Sequence, residues 1–225
     1  MAKVNFEPGW GHYEVGGILR VFRDRVINTA ATTVANAGHN NNQVAGGVTF
    51  NAVLPVVPKK VDVLIQSLAG VGVGRYGPGG GVDAVIKPNG SIEPVKGGIF
   101  MAGIEAHPTP TTDFYLYGGA EYYYRTLYTP TGGALGSIGY GVLTANQTGC
   151  AFELGTPAAC VGDNKDQFEI TPVLWHSFYK GPAGTLRFGL QYEFYRRNIW
   201  HSLANPITPH GDQHVIMTAL RWFFP

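Results

Sequence analysis

The stretch Arg187–Asn198, RFGLQYEFYRRN, alternates with a period of two. Phe188, Leu190, Tyr192 and Phe194 form one set; Arg187, Gln191, Glu193 and Arg197 form the other. Successive side chains of a strand point to opposite faces, so this segment reads as a β-strand with one apolar, aromatic face and one charged face. Two environments satisfy such a strand. In a soluble protein the apolar face turns inward on a core; in a membrane barrel it turns outward to lipid and the charged face lines the lumen.

The chain of 225 residues carries 16 basic and 15 acidic side chains, a net charge of +1, so no basic field invites nucleic acid. Charged residues make up only 14%, against roughly 25% in soluble domains. Gly is abundant at 32 residues, and Tyr and Phe contribute 12 each, a mixture suited to β-structure with many loops. No apolar run reaches the roughly 18 residues a membrane helix needs. The opening MAKVNFEPGW lacks the apolar core of a secretory signal.

Eight strand-like segments follow one another at about 12–26, 44–54, 61–76, 98–107, 113–128, 167–179, 185–198 and 214–225. The connections alternate between short, often Pro-containing turns and long polar or Gly-rich loops. The fold expected is an all-β, antiparallel up-and-down transmembrane β-barrel occupying residues 1–225. Strands of this length, an even count and long loops on one side belong to outer-membrane barrels, because every backbone group in hydrocarbon must be paired within a closed sheet. Phe114, Leu116, Ala120, Tyr122 and Tyr124 then face lipid, as do Tyr13, Val15, Leu19, Val21, Ile216, Leu220 and Trp222. Tyr13, Tyr128, Trp200 and Trp222 are expected in the interfacial aromatic girdles. The phase blurs in VDVLIQSLAG and QFEITPVLWH, where both faces are apolar, as a subunit contact or an internal plug would make them. A soluble, lipocalin-like barrel with the opposite sidedness is the alternative.

Three stretches, FEPGWGHYEVGGILRVFRDRV, GIEAHPTPTTDFYLYGGAEYY and the closing ALRWFFP, resemble the C-terminal half of DcaP-like outer-membrane porins. The resemblance implies a sixteen-stranded, homotrimeric channel for small, often anionic solutes in a bacterial outer membrane, with lipid and solutes as partners and no cofactor. Pro225 after Phe224 departs from the terminal Phe usual in such barrels. On this expectation Ala2, Val4 and Phe6, alternating with Lys3 and Asn5, are the tail of an earlier strand, and Met1 is internal to a longer protein. The alternative is a complete eight-stranded barrel, nearly filled by its own side chains, serving as an anchor or adhesin.

Arg20, Arg125, Arg187, Arg197 and Arg221 fall on the charged faces of several strands, opposed by Glu14, Glu105, Glu121 and Glu193. Rings of basic side chains set anion preference in pores, so these residues are candidates for a selectivity wall; the competing role is an internal salt-bridge lattice. Cys150 and Cys160 are expected to form a disulfide in the long loop at about 128–165, which then folds into the mouth or stands outside it. Asn89-Gly90 marks a hairpin within the loop before it. GVGRYG matches a dinucleotide fingerprint formally, but PGGG rather than a helix follows it. The seven histidines show no metal-ligand spacing, and adjacent His176 and Ser177 point to opposite faces, so neither a metal site nor an enzyme is expected.

Overall fold

The structure, a computed structural model, describes residues 1–27, 38–150, 160–205 and 207–224. Among the described residues thirteen strands arise in chain order: β1 Ala2–Phe6, β2 His12–Ile27, β3 Gly38–Val57, β4 Val61–Val71, β5 Ala84–Ile86, β6 Ile92–Pro94, β7 Lys96–Thr109, β8 Thr112–Tyr123, β9 Thr126–Tyr128, β10 Ile138–Tyr140, β11 Asn164–Gly181, β12 Gly184–Ile199 and β13 His210–Phe223. Nine make one antiparallel meander in the order β1-β2-β3-β4-β7-β8-β11-β12-β13. Pairs β5–β6 and β9–β10 are small hairpins within the loops. Short turns gather at one end of the sheet and long connections at the other, as the sequence spacing implied.

Three features depart from the expectation. The sheet does not close: among the described residues β1 pairs only with β2 and β13 only with β12. The main sheet counts nine strands and not eight, the ninth being the strand tail expected at Ala2–Phe6, which pairs residue for residue with Tyr13–Gly17. Strand limits also move. β3 starts at Gly38, since the Asn-rich GHNNNQ, loop-like by composition, still pairs with Phe22–Ile27. β4 stops at Val71, where Gly72 adopts φ +69°, a left-handed conformation open to Gly. Tyr124 and Arg125 separate β8 from Thr126–Tyr128, which belongs to a loop hairpin.

The pairing register keeps the two faces distinct across the sheet. Val15 stands opposite Phe50, Phe50 opposite Ser67, Ser67 opposite Phe100 and Phe100 opposite Ala120; farther on, Tyr192 stands opposite Ile216. This apolar face is bare: Leu19 is 73%, Val48 66% and Ile216 74% exposed. On strands of the main sheet it carries no Lys, Arg, Asp or Glu between the short turns and a charged collar near the long loops. The collar consists of Arg23, Lys96, Asp166, Arg196 and Asp212.

The collar is oblique to the pairing. Level across the sheet, Lys96 meets Leu19 of β2, Asp166 meets Gly17, and Arg196 and Asp212 meet Val15. Relative to Arg23 it therefore descends by four, six and eight residues. Eight residues are about 26 Å along a strand, and the seven strand spacings from β2 to β13 are about 34 Å across. The collar is a flat ring only if the strands lean by about 38° from its normal, within the roughly 35–45° of closed barrels.

Candidate functional site: the polar face and the loop folded onto it

The connection from Gly72 to Val95 folds back over the polar face. Val73, fully buried, packs with Ile18, Leu68 and Ile99. That contact explains the blurred phase of β4, since Leu68 has an apolar partner on the polar side. A single 3-10 turn, Gly74–Tyr76, carries the chain on. Asp83 then accepts two hydrogen bonds from the Arg20 guanidinium, at 2.8 and 2.9 Å, and two more from Arg75. Burial pushes the Asp83 carboxyl up, but the bonds from Arg20 and Arg75 outweigh it and hold the pKa below its ordinary value. Deeper in, Gly79 N–H donates to Glu121 at 3.0 Å. A Cβ at Gly79 would lie 1.4 Å from Gln167 Nε2, and one at Gly81 1.9 Å from the Tyr123 ring, so this segment seats only without side chains.

The hairpin expected at Asn89-Gly90 is β5–β6. Gly90 N–H donates to Lys87 O, with Pro88 and Asn89 between and Gly90 at φ +83°, the pattern of a turn closed by a left-handed Gly.

Between this loop and the sheet lies a chamber of about 640 Å³. Its walls include Glu121, Glu169 and Glu193, the amides of Asn51 and Gln66, and Tyr195. Glu121 is 3% exposed and accepts from Tyr123 Oη at 2.6 Å and Gln167 Nε2 at 2.8 Å as well as from Gly79. Glu169 accepts from Thr171 Oγ1. Among the described residues the Glu193 side chain has no hydrogen-bond partner, and none of the three glutamates forms an ion pair.

The arginines singled out in the sequence do not converge on the chamber. Arg20 serves Asp83. Arg187 pairs with Asp113, and Arg221 stacks on Trp175, 4.5 Å from the ring centroid. Arg197 donates to Asn164 Oδ1. Arg125 lies beyond the end of β8, stacked 4.5 Å from Trp200 and donating to His201 O. Glu14 pairs with Lys3 and accepts from Asn51, while Glu105 accepts from Tyr117 Oη at 2.5 Å. No arginine of the set pairs with a glutamate of the set among the described residues; the partners of Arg20 and Arg187 are Asp83 and Asp113. Trp175 also accounts for the blurred phase of β11, as an apolar ring on the polar face covered by two guanidinium groups.

At the long-loop end, Cys150 and Cys160 are joined as a disulfide with Cα atoms 4.8 Å apart; residues 151–159 lie outside the described residues. Beside it Gln147, 1% exposed, donates to Trp200 O and accepts from Ser202 N–H. Tyr140, Val95 and Tyr123 form a second small core with Trp200 against it. Trp200 is thus a loop anchor, its Nε1 donating to Tyr123 O, and not the girdle residue its place after a strand implied. Tyr128 sits in β9, half-buried in the same loops. At the short-turn end Trp10, Tyr13 and Phe6 cluster, and Trp222 stacks near Phe224.

One constellation was not apparent from sequence. Asp62, Glu105 and His107 bring ligand atoms within 4.8 Å of one another, Asp62 and Glu105 being directly opposed on β4 and β7. His107 Nδ1 lies 2.7 Å from Asp113 Oδ1. One imidazole and two carboxylates are a donor set able to hold a divalent cation. Spacing hid it, because Asp62 is remote in sequence from the other two.

Comparison with protein-family models, curated proteins and solved structures returns no match.

Proposed function

We propose that this chain forms part of the wall of a porin-type β-barrel in a bacterial outer membrane, through which small polar solutes diffuse. The observation that carries this reading is the charged collar. Its descent by eight residues over seven strand spacings is what a flat membrane surface would trace on strands leaning by about 38°. The band beneath it has the right depth. From Leu186 to Phe194 the apolar face of β12 runs nine residues, roughly 20 Å of membrane height at that tilt, comparable with the roughly 25 Å band of outer-membrane barrels.

Sidedness supports the same reading over a lipocalin-like one. The loop and the chamber lie on the polar face, which supports a barrel with that face inside and the apolar face outside. The inward loop resembles a constriction in its effect: it narrows the lumen without filling it. The likeness to DcaP-like porins rests on the three sequence stretches quoted above and would make the assembly a homotrimer.

Liposome swelling tests the proposal. Protein extracted in detergent and reconstituted into vesicles should admit small polyols and so swell them in isotonic polyol. Solubility without detergent, together with no swelling, refutes it.

A further inference from the structure

We propose that the chamber prefers small cations to anions, an inference that rests on the channel reading above and reverses the charge preference the arginine count implied. Three carboxylates from three neighbouring strands, Glu121 of β8, Glu169 of β11 and Glu193 of β12, face it. Among the described residues none has a cationic partner.

The positive groups that would favour anions are neutralised or elsewhere. Arg20 and Arg187 are paired with Asp83 and Asp113. Arg221 and Arg125 make contacts away from the chamber walls; Arg197 stands opposite Gln167 at the chamber's edge but donates to Asn164, and among the described residues no Lys or Arg lines the chamber. The remaining walls include side-chain amides, the tyrosines Tyr76, Tyr117 and Tyr195, and apolar groups such as Leu68, Ile99 and Met101. Amides hydrate either sign, but a ring face presents negative potential and attracts cations. Acidic rings set cation preference in channels.

A carboxylate about 8 Å from a permeating ion in water and salt weights cations over anions roughly two- to fivefold. Planar bilayers holding the full chain, bathed in a KCl gradient, give the permeability ratio from the reversal potential. The wild type should favour K⁺, and the double variant E169Q/E193Q should bring the ratio toward one while conductance persists. Glu121 is left intact because it holds the loop. R187S/R197S, which removes two positive charges and unpairs Asp113, should not lower the ratio.

A wild-type ratio of one or below overturns the inference and leaves the channel standing. So does a ratio that E169Q/E193Q fails to move. Absence of any conductance overturns the channel reading and this inference with it. The wild-type measurement decides the sign even if the variants do not assemble.

Discussion

Replacing Asp83 by Asn should release the inward loop while leaving the sheet intact. The carboxylate is the hub of that loop: it takes a two-pronged bond from Arg20 on β2 and further bonds from Arg75. The Arg20 and Asp83 side chains are 13% and 12% exposed. Removing one partner of a fully buried pair costs about 3–5 kcal/mol, and an exposed pair is worth about 0–1 kcal/mol. A pair this well covered beside a wet chamber falls between, at about 2 kcal/mol, or roughly 30-fold in the loop-closing equilibrium.

Hydrogen exchange by mass spectrometry reads that equilibrium. The amides of Gly72, Gly79 and Val95, bonded to Val95 O, Glu121 and Asp83 O, should exchange roughly 30-fold faster in D83N, with β7 and β8 unchanged. R75A, which removes a side chain 65% exposed, should raise exchange only about threefold. Acid should mimic D83N. Because the folded pKa of Asp83 lies below its ordinary value, its stabilisation is complete above the ordinary carboxylate range and is lost as pH falls through the depressed value. Wild-type exchange of these three amides in D83N would refute the latch; equal loosening of β2 would show that Asp83 supports the wall and not the loop.

Two further substitutions separate the faces and the loop cap. L190R, in the apolar band of β12, should destabilise vesicle-inserted protein by about 2–4 kcal/mol. Its neighbour Q191R, on the polar face, should change stability by less than about 0.5 kcal/mol in denaturant titration; equal effects would deny that the two faces meet different media. Replacing both Cys150 and Cys160 by Ser should cost the loop cap about 2–3 kcal/mol. Exchange at Val161 and Ser202, whose amides bond Asn146 O and Gln147 Oε1, should then quicken while β11 and β12 hold.

The face pattern was legible because it is local. In β12 and β8 each residue's side follows from its parity, and the register aligns those parities from strand to strand. What parity does not encode is a partner distant in sequence. Arg20 and Asp83 are 63 residues apart, and Arg187 and Asp113 are 74 apart, so an internal salt-bridge lattice is foreseeable from parity, but its aspartate partners are not. The same limit hid Val73, a loop residue that makes the polar side of β4 look like core. Composition misled at GHNNNQ, where Asn-rich sequence extends β3, since backbone pairing with β2 does not require apolar side chains. Trp200 misled in the opposite way: a ring next to a strand end suits a membrane girdle, but a buried neighbourhood of Val95, Tyr123 and Tyr140 claimed it first.

The topology constrains how this sheet could become a barrel. An eight-stranded closure would pair β13 with β2, but β1 already occupies the edge of β2 over Tyr13–Gly17. Pairing β13 with β1 would give nine strands, and since the first and ninth strands of an antiparallel meander run the same way, that seam would be parallel. Space argues against both. A barrel of about eight strands is filled by its own side chains, whereas this polar face already accommodates the connection from Gly72 to Val95 and a chamber of about 640 Å³. In hydrocarbon the open edges of β2 and β13 would also leave backbone groups unpaired at a cost of several kcal/mol each. If the apolar face meets lipid, at least one further strand must therefore lie between β13 and β1, whichever chain supplies it, and the lumen must be wider than nine strands alone would enclose.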